Sequence, residues 1–100
     1  MAKIVRNGNN VVIESDVRLD TVNARDFECQ IEPFLKEAGV DVVFDCHQLD
    51  YISSTGLRVL LKAQKNIMAN KGNMKLTAVK PQIKKVFDMT GFSRFLKIEE

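Results

Sequence analysis

The run VDVVFDC, Val40 to Cys46, constrains the fold more than any other stretch of this chain. It is short, rich in β-branched residues and largely apolar. It reads as a strand buried on both faces, the setting of a central strand in a sheet. Helical periodicity flanks it on both sides. Upstream, Ala24, Phe27, Ile31, Phe34, Leu35 and Ala38 recur at three- and four-residue steps and form one apolar stripe. Asp20 or Thr21 is placed to cap the start of this helix, and Gly39 to stop it. Pro33 interrupts the pattern. A proline inside a helix removes a hydrogen bond and crowds the preceding turn, at ~3 kcal/mol or more. A kink is therefore expected there, or a helix ending near Glu32 with a short turn restarting at Pro33. Downstream, a helix is expected from about Thr55 to Asn70. Leu57, Leu60, Leu61, Gln64, Ile67 and Met68 line its inner side. Arg58, Lys62, Lys65 and Asn66 fall on its outer side, and Lys71-Gly72-Asn73 ends it.

The remaining elements follow closely. KIVRNGNNVVIE reads as two short strands joined by a turn at Asn7-Gly8, since Asn-Gly accepts the positive φ values that two-residue hairpins want. MKLTAV is a further strand. Pro81 suits the first turn of a third helix, with Ile83, Val86, Phe87 and Thr90 inward and Gly91 closing it. FLKIEE is a last short strand. The order is β-β-α-β-α-β-α-β, an α/β fold with a mixed, mostly parallel sheet and helices packed against it. With 100 residues, 45% of them hydrophobic, the chain suits one domain spanning residues 1–100 around one core. In such sheets, ligand and partner sites lie beyond the carboxyl ends of strands. The Asp45–Thr55 loop lies at such an end.

Composition narrows the function. A formal charge of +2 with interspersed signs gives no reason to expect bulk binding to nucleic acid or anionic membrane. No apolar run approaches the roughly 20 residues of a membrane span. MAKIVRNGNN lacks the apolar core of a signal peptide, so the cytoplasm is the expected compartment. Cys29 and Cys46 read as buried or partly buried free thiols, since a disulfide would be unusual in a reducing compartment. No paired C-x-x-C spacing supports a zinc site, and no cofactor motif is present.

The stretch DYISSTGLRVLLKAQKNI, Asp50 to Ile67, stacks Ser53, Ser54 and Thr55 where a strand hands over to a helix. The bland account is capping: one serine accepts an unpaired N–H of the first turn, worth ~1 kcal/mol relative to alanine. One serine is enough for that, which leaves the second serine and Gly56 unexplained. Neither Gly56 nor Leu57 supplies the reciprocal group of a capping box. The functional account starts from the same geometry. A phosphate here would carry about −1.5 to −2 charge, which a helix N-terminus tolerates, and Gly56 has no side chain to obstruct a kinase or phosphatase. The result would be a switch on docking rather than on folding.

DYISSTGLRVLLKAQ resembles the signature of bacterial anti-sigma factor antagonists, the STAS-domain proteins. The resemblance extends over nearly the whole chain. VRLDTVNARDF resembles the family's approach to its first helix, VDVVFDCHQLDYISSTGL its central strand and phosphorylation loop, and KPQIKKVFDMTGFSRFLKI its closing helix and strand. In that family the serine two residues before the glycine is phosphorylated. Here that position is Ser54, with Gly56 the matching glycine and Ser53 a competing acceptor. Ser53 stands where many members have aspartate, and Val17 where a glycine is frequent. The resemblance implies partner switching. The unphosphorylated protein would bind an anti-sigma factor and free a sigma factor. The anti-sigma factor, a serine kinase using its own ATP and magnesium, would phosphorylate Ser54, the complex would part, and a separate serine phosphatase would reset it. The protein itself would be no enzyme and a monomer when free. The alternative is a STAS-type adaptor in another signalling or lipid-transport complex.

Other residues carry two readings each. Asp45 and Asp50 are turn acceptors, or contacts to the partner or its kinase metal. Tyr51 packs with Ile52 under the loop, or offers its hydroxyl to the interface. Arg58 and Lys62 form a solvated face, or contact an acidic partner. With Ser53, Ser54, Thr55 and Gly56 they make up the candidate docking set. His47, the single histidine, could be imagined as a base for Ser54, but no G-x-S-x-G elbow accompanies it, and it reads as a loop residue. Met68, Met74 and Met89 read as core fillers, and Lys80, Lys84 and Lys85 as a solvated helix face.

Overall fold

The structure, a computed structural model, describes residues 2–99. Strand β1 (Lys3–Asn7) and strand β2 (Asn10–Glu14) form an antiparallel hairpin with Asn7 paired to Asn10. The central turn residues are therefore Gly8 and Asn9, one position later than the Asn7-Gly8 expectation. Gly8 sits at φ +62, a value that glycine adopts without strain. The chain continues through β3 (Arg18–Leu19), α1 (Ala24–Leu35), β4 (Asp41–Asp45), β5 (Tyr51–Ile52), α2 (Ser54–Ala69), β6 (Asn73–Thr77), α3 (Pro81–Thr90), a 3-10 turn at Phe92–Arg94, and β7 (Ile98–Glu99). The main sheet has the order β1-β2-β4-β6-β7, parallel apart from the first pair, with β4 at its centre.

Two elements depart from the expected order. Strands β3 and β5 form a separate two-stranded parallel ladder, Arg18 opposite Tyr51 and Leu19 opposite Ile52. Two residues are too few to leave a periodic signal, and both segments read as loop.

The central strand is covered on one face only, which corrects the expectation of burial on both. Val42 and Phe44 are fully buried, whereas Asp41 is exposed and Val43 and Asp45 are half-buried. The neighbours alternate in step. Ile4, Ile13, Phe44, Leu76 and Ile98 are successive register partners across all five strands, on the covered side. There they join one apolar core with residues of all three helices, including Phe27, Leu60 and Phe87. Phe27 of α1 meets Phe44 edge-on at 5.4 Å between ring centroids. Burying each such side chain stabilises by about 1.5–3 kcal/mol. On the other side Val5, Val12, Val43 and Lys75 form a row that faces solvent.

The helices keep most of their expected faces. Helix α1 runs through Pro33 to Leu35 rather than ending near Glu32. Asn23 is its cap residue, while Asp20 anchors the preceding turn, its Oδ1 accepting from Val22 and Asn23 N–H at 3.0 and 3.1 Å. Helix α2 buries Leu57, Leu60, Gln64 and Ile67 as expected, together with Val59 and Ala63. Met68 and Met89 are exposed and only Met74 is a core filler. Pro81 opens α3, and Gly91 closes it at φ +80. Thr90 is exposed, its hydroxyl donating back to Val86 O at 2.8 Å. Cys46 is buried but Cys29 is exposed, correcting the expectation for the latter, and both are free thiols. No helix among the described residues is long and apolar enough to cross a membrane.

Candidate functional site

The two-residue ladder positions the start of α2. The Ser53 N–H donates to Leu19 O at 2.9 Å, and the Asp50 N–H to Val17 O at 2.7 Å. The segment entering α1 and the segment entering α2 are thereby held side by side. Ser53 is the cap residue, extended at φ −89 and ψ 171, and its Oγ accepts the Gly56 N–H at 3.1 Å. Its hydroxyl is committed to the fold.

Ser54 is the first helical residue and is exposed, and its hydroxyl makes no hydrogen bond among the described residues. Thr55 is half-buried. Gly56 is buried and faces inward, not toward an approaching enzyme. A Cβ there would lie 2.7 Å from Leu19 O and 2.9 Å from Leu19 Cγ. Its missing side chain lets α2 pack against the backbone of β3.

The other candidate residues separate into two groups. Tyr51 is 45% exposed beside the helix start, with the Arg18 guanidinium 4.4 Å above its ring centroid. Arg18 Nε also lies 3.2 Å from Asp20 Oδ2. Hydrogen bonds from the Asn23 N–H and from Arg18 hold the Asp20 carboxyl below its ordinary range. Asp50 is exposed and ion-paired with Lys80. Arg58 is exposed on the outer face of α2. Lys62, one turn further on, is paired with Glu28 of α1 at 2.8 Å, and that bond raises its pKa. Asp45 belongs to a different group. Its Oδ1 accepts from the His47 N–H at 3.0 Å and faces His47 Nδ1 at 3.1 Å. His47 Nε2 lies 3.8 Å from Glu14 Oε1, which accepts from Gln48 Nε2 at 2.6 Å. His47 is thus engaged with carboxylates of the sheet.

Sequence reasoning missed two features here. One is the Arg18–Asn23 turn, brought beside Tyr51 by the β3–β5 pairing, with Val22 87% exposed at its tip. The other is the Glu14–Asp45–His47 cluster, whose atoms lie within 4.8 Å of one another. Glu14 and Asp45 are opposite residues of neighbouring strands, a juxtaposition that only strand register reveals.

The helix start of this small α/β domain thus presents an exposed serine, with its neighbour serving as the cap. The chain belongs to the STAS domain family, whose family model matches residues 1–100. Among curated proteins it is similar to BtrV of Bordetella bronchiseptica, provisionally described as an anti-sigma factor antagonist. The two are 35% identical over 74 residues, which is 74% of this chain and 64% of that protein. The matched region therefore spans just under two thirds of that relative. Among solved structures it is similar to the anti-sigma factor antagonist SpoIIAA in its unphosphorylated form, at a TM-score of 0.82 and 19% identity, covering 100% of this chain and 89% of that one. The phosphorylated form of SpoIIAA, from Bacillus, gives a TM-score of 0.77 at 19% identity, covering 100% and 92%. At this identity the likeness shows the fold.

Proposed function

We propose that this chain is an anti-sigma factor antagonist that acts by partner switching, with Ser54 as the phosphorylated residue. Unmodified, it binds an anti-sigma factor that is also a serine kinase, and a sigma factor is freed. Phosphorylation of Ser54 by that kinase, with the kinase's ATP and magnesium, ends the complex, and a serine phosphatase restores it. Both partners meet it in the cytoplasm, and the chain performs no chemistry of its own.

One observation carries this reading: the two adjacent serines have different tasks. Ser53 holds the cap, so the exposed Ser54 hydroxyl is free to be esterified without breaking a bond of the fold. The first turn of α2 contains no acidic side chain to repel a phosphate, and its unpaired N–H groups favour an anion. A docked partner fares differently. A charge buried against it without compensation costs about 3–5 kcal/mol, or on the order of 10²- to several-thousand-fold in affinity. The kinship with BtrV and the existence of SpoIIAA in both phosphorylation states support the same assignment.

The test combines the protein with its cognate anti-sigma kinase, ATP and magnesium, and maps the product by mass spectrometry. Phosphate on Ser54 in the wild type and none in Ser54→Ala is expected. Full labelling of Ser54→Ala would overturn the site, and unchanged kinase affinity in Ser54→Glu would overturn the switch.

A further inference from the structure

We propose that Arg58 clamps the phosphate of phosphorylated Ser54 in an intramolecular ion pair along the outer face of α2, an inference that rests on the reading of Ser54 given above. The two residues lie four apart in one continuous helix and both are exposed. Side chains at that spacing are neighbours, with Cβ atoms roughly 5–6 Å apart. Helical side chains also tilt toward the N-terminus, so a long one covers the turn before its own Cα. For Arg58 that turn is the one Ser54 opens.

Three other cations of the candidate site and its neighbouring elements are already committed. Arg18 stacks on Tyr51 and pairs with Asp20, Lys62 pairs with Glu28, and Lys80 pairs with Asp50. The Arg58 side chain makes no hydrogen bond or ion pair among the described residues. The first turn of α2 supplies no carboxylate to occupy it. A guanidinium offers a planar fork of N–H donors that matches two phosphate oxygens at once.

Phosphorylation then changes the docking surface twice. It adds an anion at Ser54, and it turns the Arg58 side chain back from solvent onto that anion. A partner that met a free cation beside a small hydroxyl meets a bulkier pair whose net charge is negative, about −0.5 to −1.

The measurement uses the full chain with phosphoserine installed at position 54 by semisynthesis, titrated by ³¹P NMR over roughly pH 4 to 8, around the phosphate's second ionisation. In the wild type that ionisation constant should be about twofold or more larger than in Arg58→Gln. The difference should shrink in about 1 M salt, and Arg58→Lys should retain part of it, as a point charge without the fork. Coincident curves for wild type and Arg58→Gln would overturn the clamp. Because the phosphate is installed chemically, this result is independent of any kinase. Failure of kinase labelling at Ser54 would instead overturn the proposed switch.

Discussion

Ser53 and Gly56 close the first turn of α2 between them, the serine Oγ accepting the glycine N–H at 3.1 Å. The neighbouring Ser54 contributes nothing to that closure. Ser53→Ala should therefore cost about 1 kcal/mol of stability, lowering Tm by about 4–8 °C in a domain of this size. Ser54→Ala should leave the urea midpoint nearly unchanged. Equal losses in the two variants would contradict the division of tasks.

Gly56→Ala sets two effects against each other. Alanine favours a helix interior by about 1 kcal/mol. Against this, its Cβ would sit 2.7 Å from the backbone oxygen of Leu19, which cannot swing away as a side-chain tip can. Overpacking should win, with a net destabilisation of about 1–3 kcal/mol, read by thermal unfolding. The β3–β5 ladder should loosen with it, seen as faster amide exchange at Ser53, whose N–H donates to Leu19 O.

Acid should weaken the turn that leads into α1. The folded-state pKa of Asp20 is depressed, chiefly by the Asn23 N–H and then by Arg18. A depressed carboxyl contributes stability that is present above its unfolded pKa and is lost as pH falls through the folded one. The loss therefore begins as pH falls to the ordinary aspartate value near 4 and is complete only below the depressed folded value. In Asp20→Asn the slope of stability against pH should be shallower in that acid window and unchanged near neutrality. Denaturant midpoints across the two ranges measure this.

The two thiols should react very differently. Cys29 is exposed, whereas burial, aided by the neighbouring Asp45 charge, pushes the Cys46 thiol up to about 12. Since the thiolate is the nucleophile, a thiol reagent near pH 8 should modify one equivalent quickly in the native protein and two in urea. Rapid native modification of both would mean that the loop after β4 opens readily.

The helices were legible because their apolar spacing is long and regular. Leu57, Leu60, Gln64 and Ile67 sit inside where the period put them. Pro81 and Gly91 bound α3 for local backbone reasons that need no tertiary context. What failed depends on neighbours. Val43 looks as buried as Val42 in sequence, and only the helices' placement on one face separates them. Arg18–Leu19 and Tyr51–Ile52 are strands only because each is the other's partner. Within the site, the hydroxyl cluster was visible, but which serine caps was not. Either could accept from the first turn, and the bond from the Ser53 N–H to Leu19 O sets the boundary. Gly56 was noticed for the wrong reason: its bareness serves packing inside, not access from outside.

The solvent-facing row through Val5, Val12 and Val43 offers a practical handle. Val12 is 40% exposed on the side of the sheet opposite the helices. With Cys29 replaced by serine, a cysteine introduced in place of Val12 would give one reactive point for tethering the molecule to a biosensor chip. Immobilised this way, the protein would hang with its helical side outward, and its encounters with other molecules could be timed without the anchor intruding.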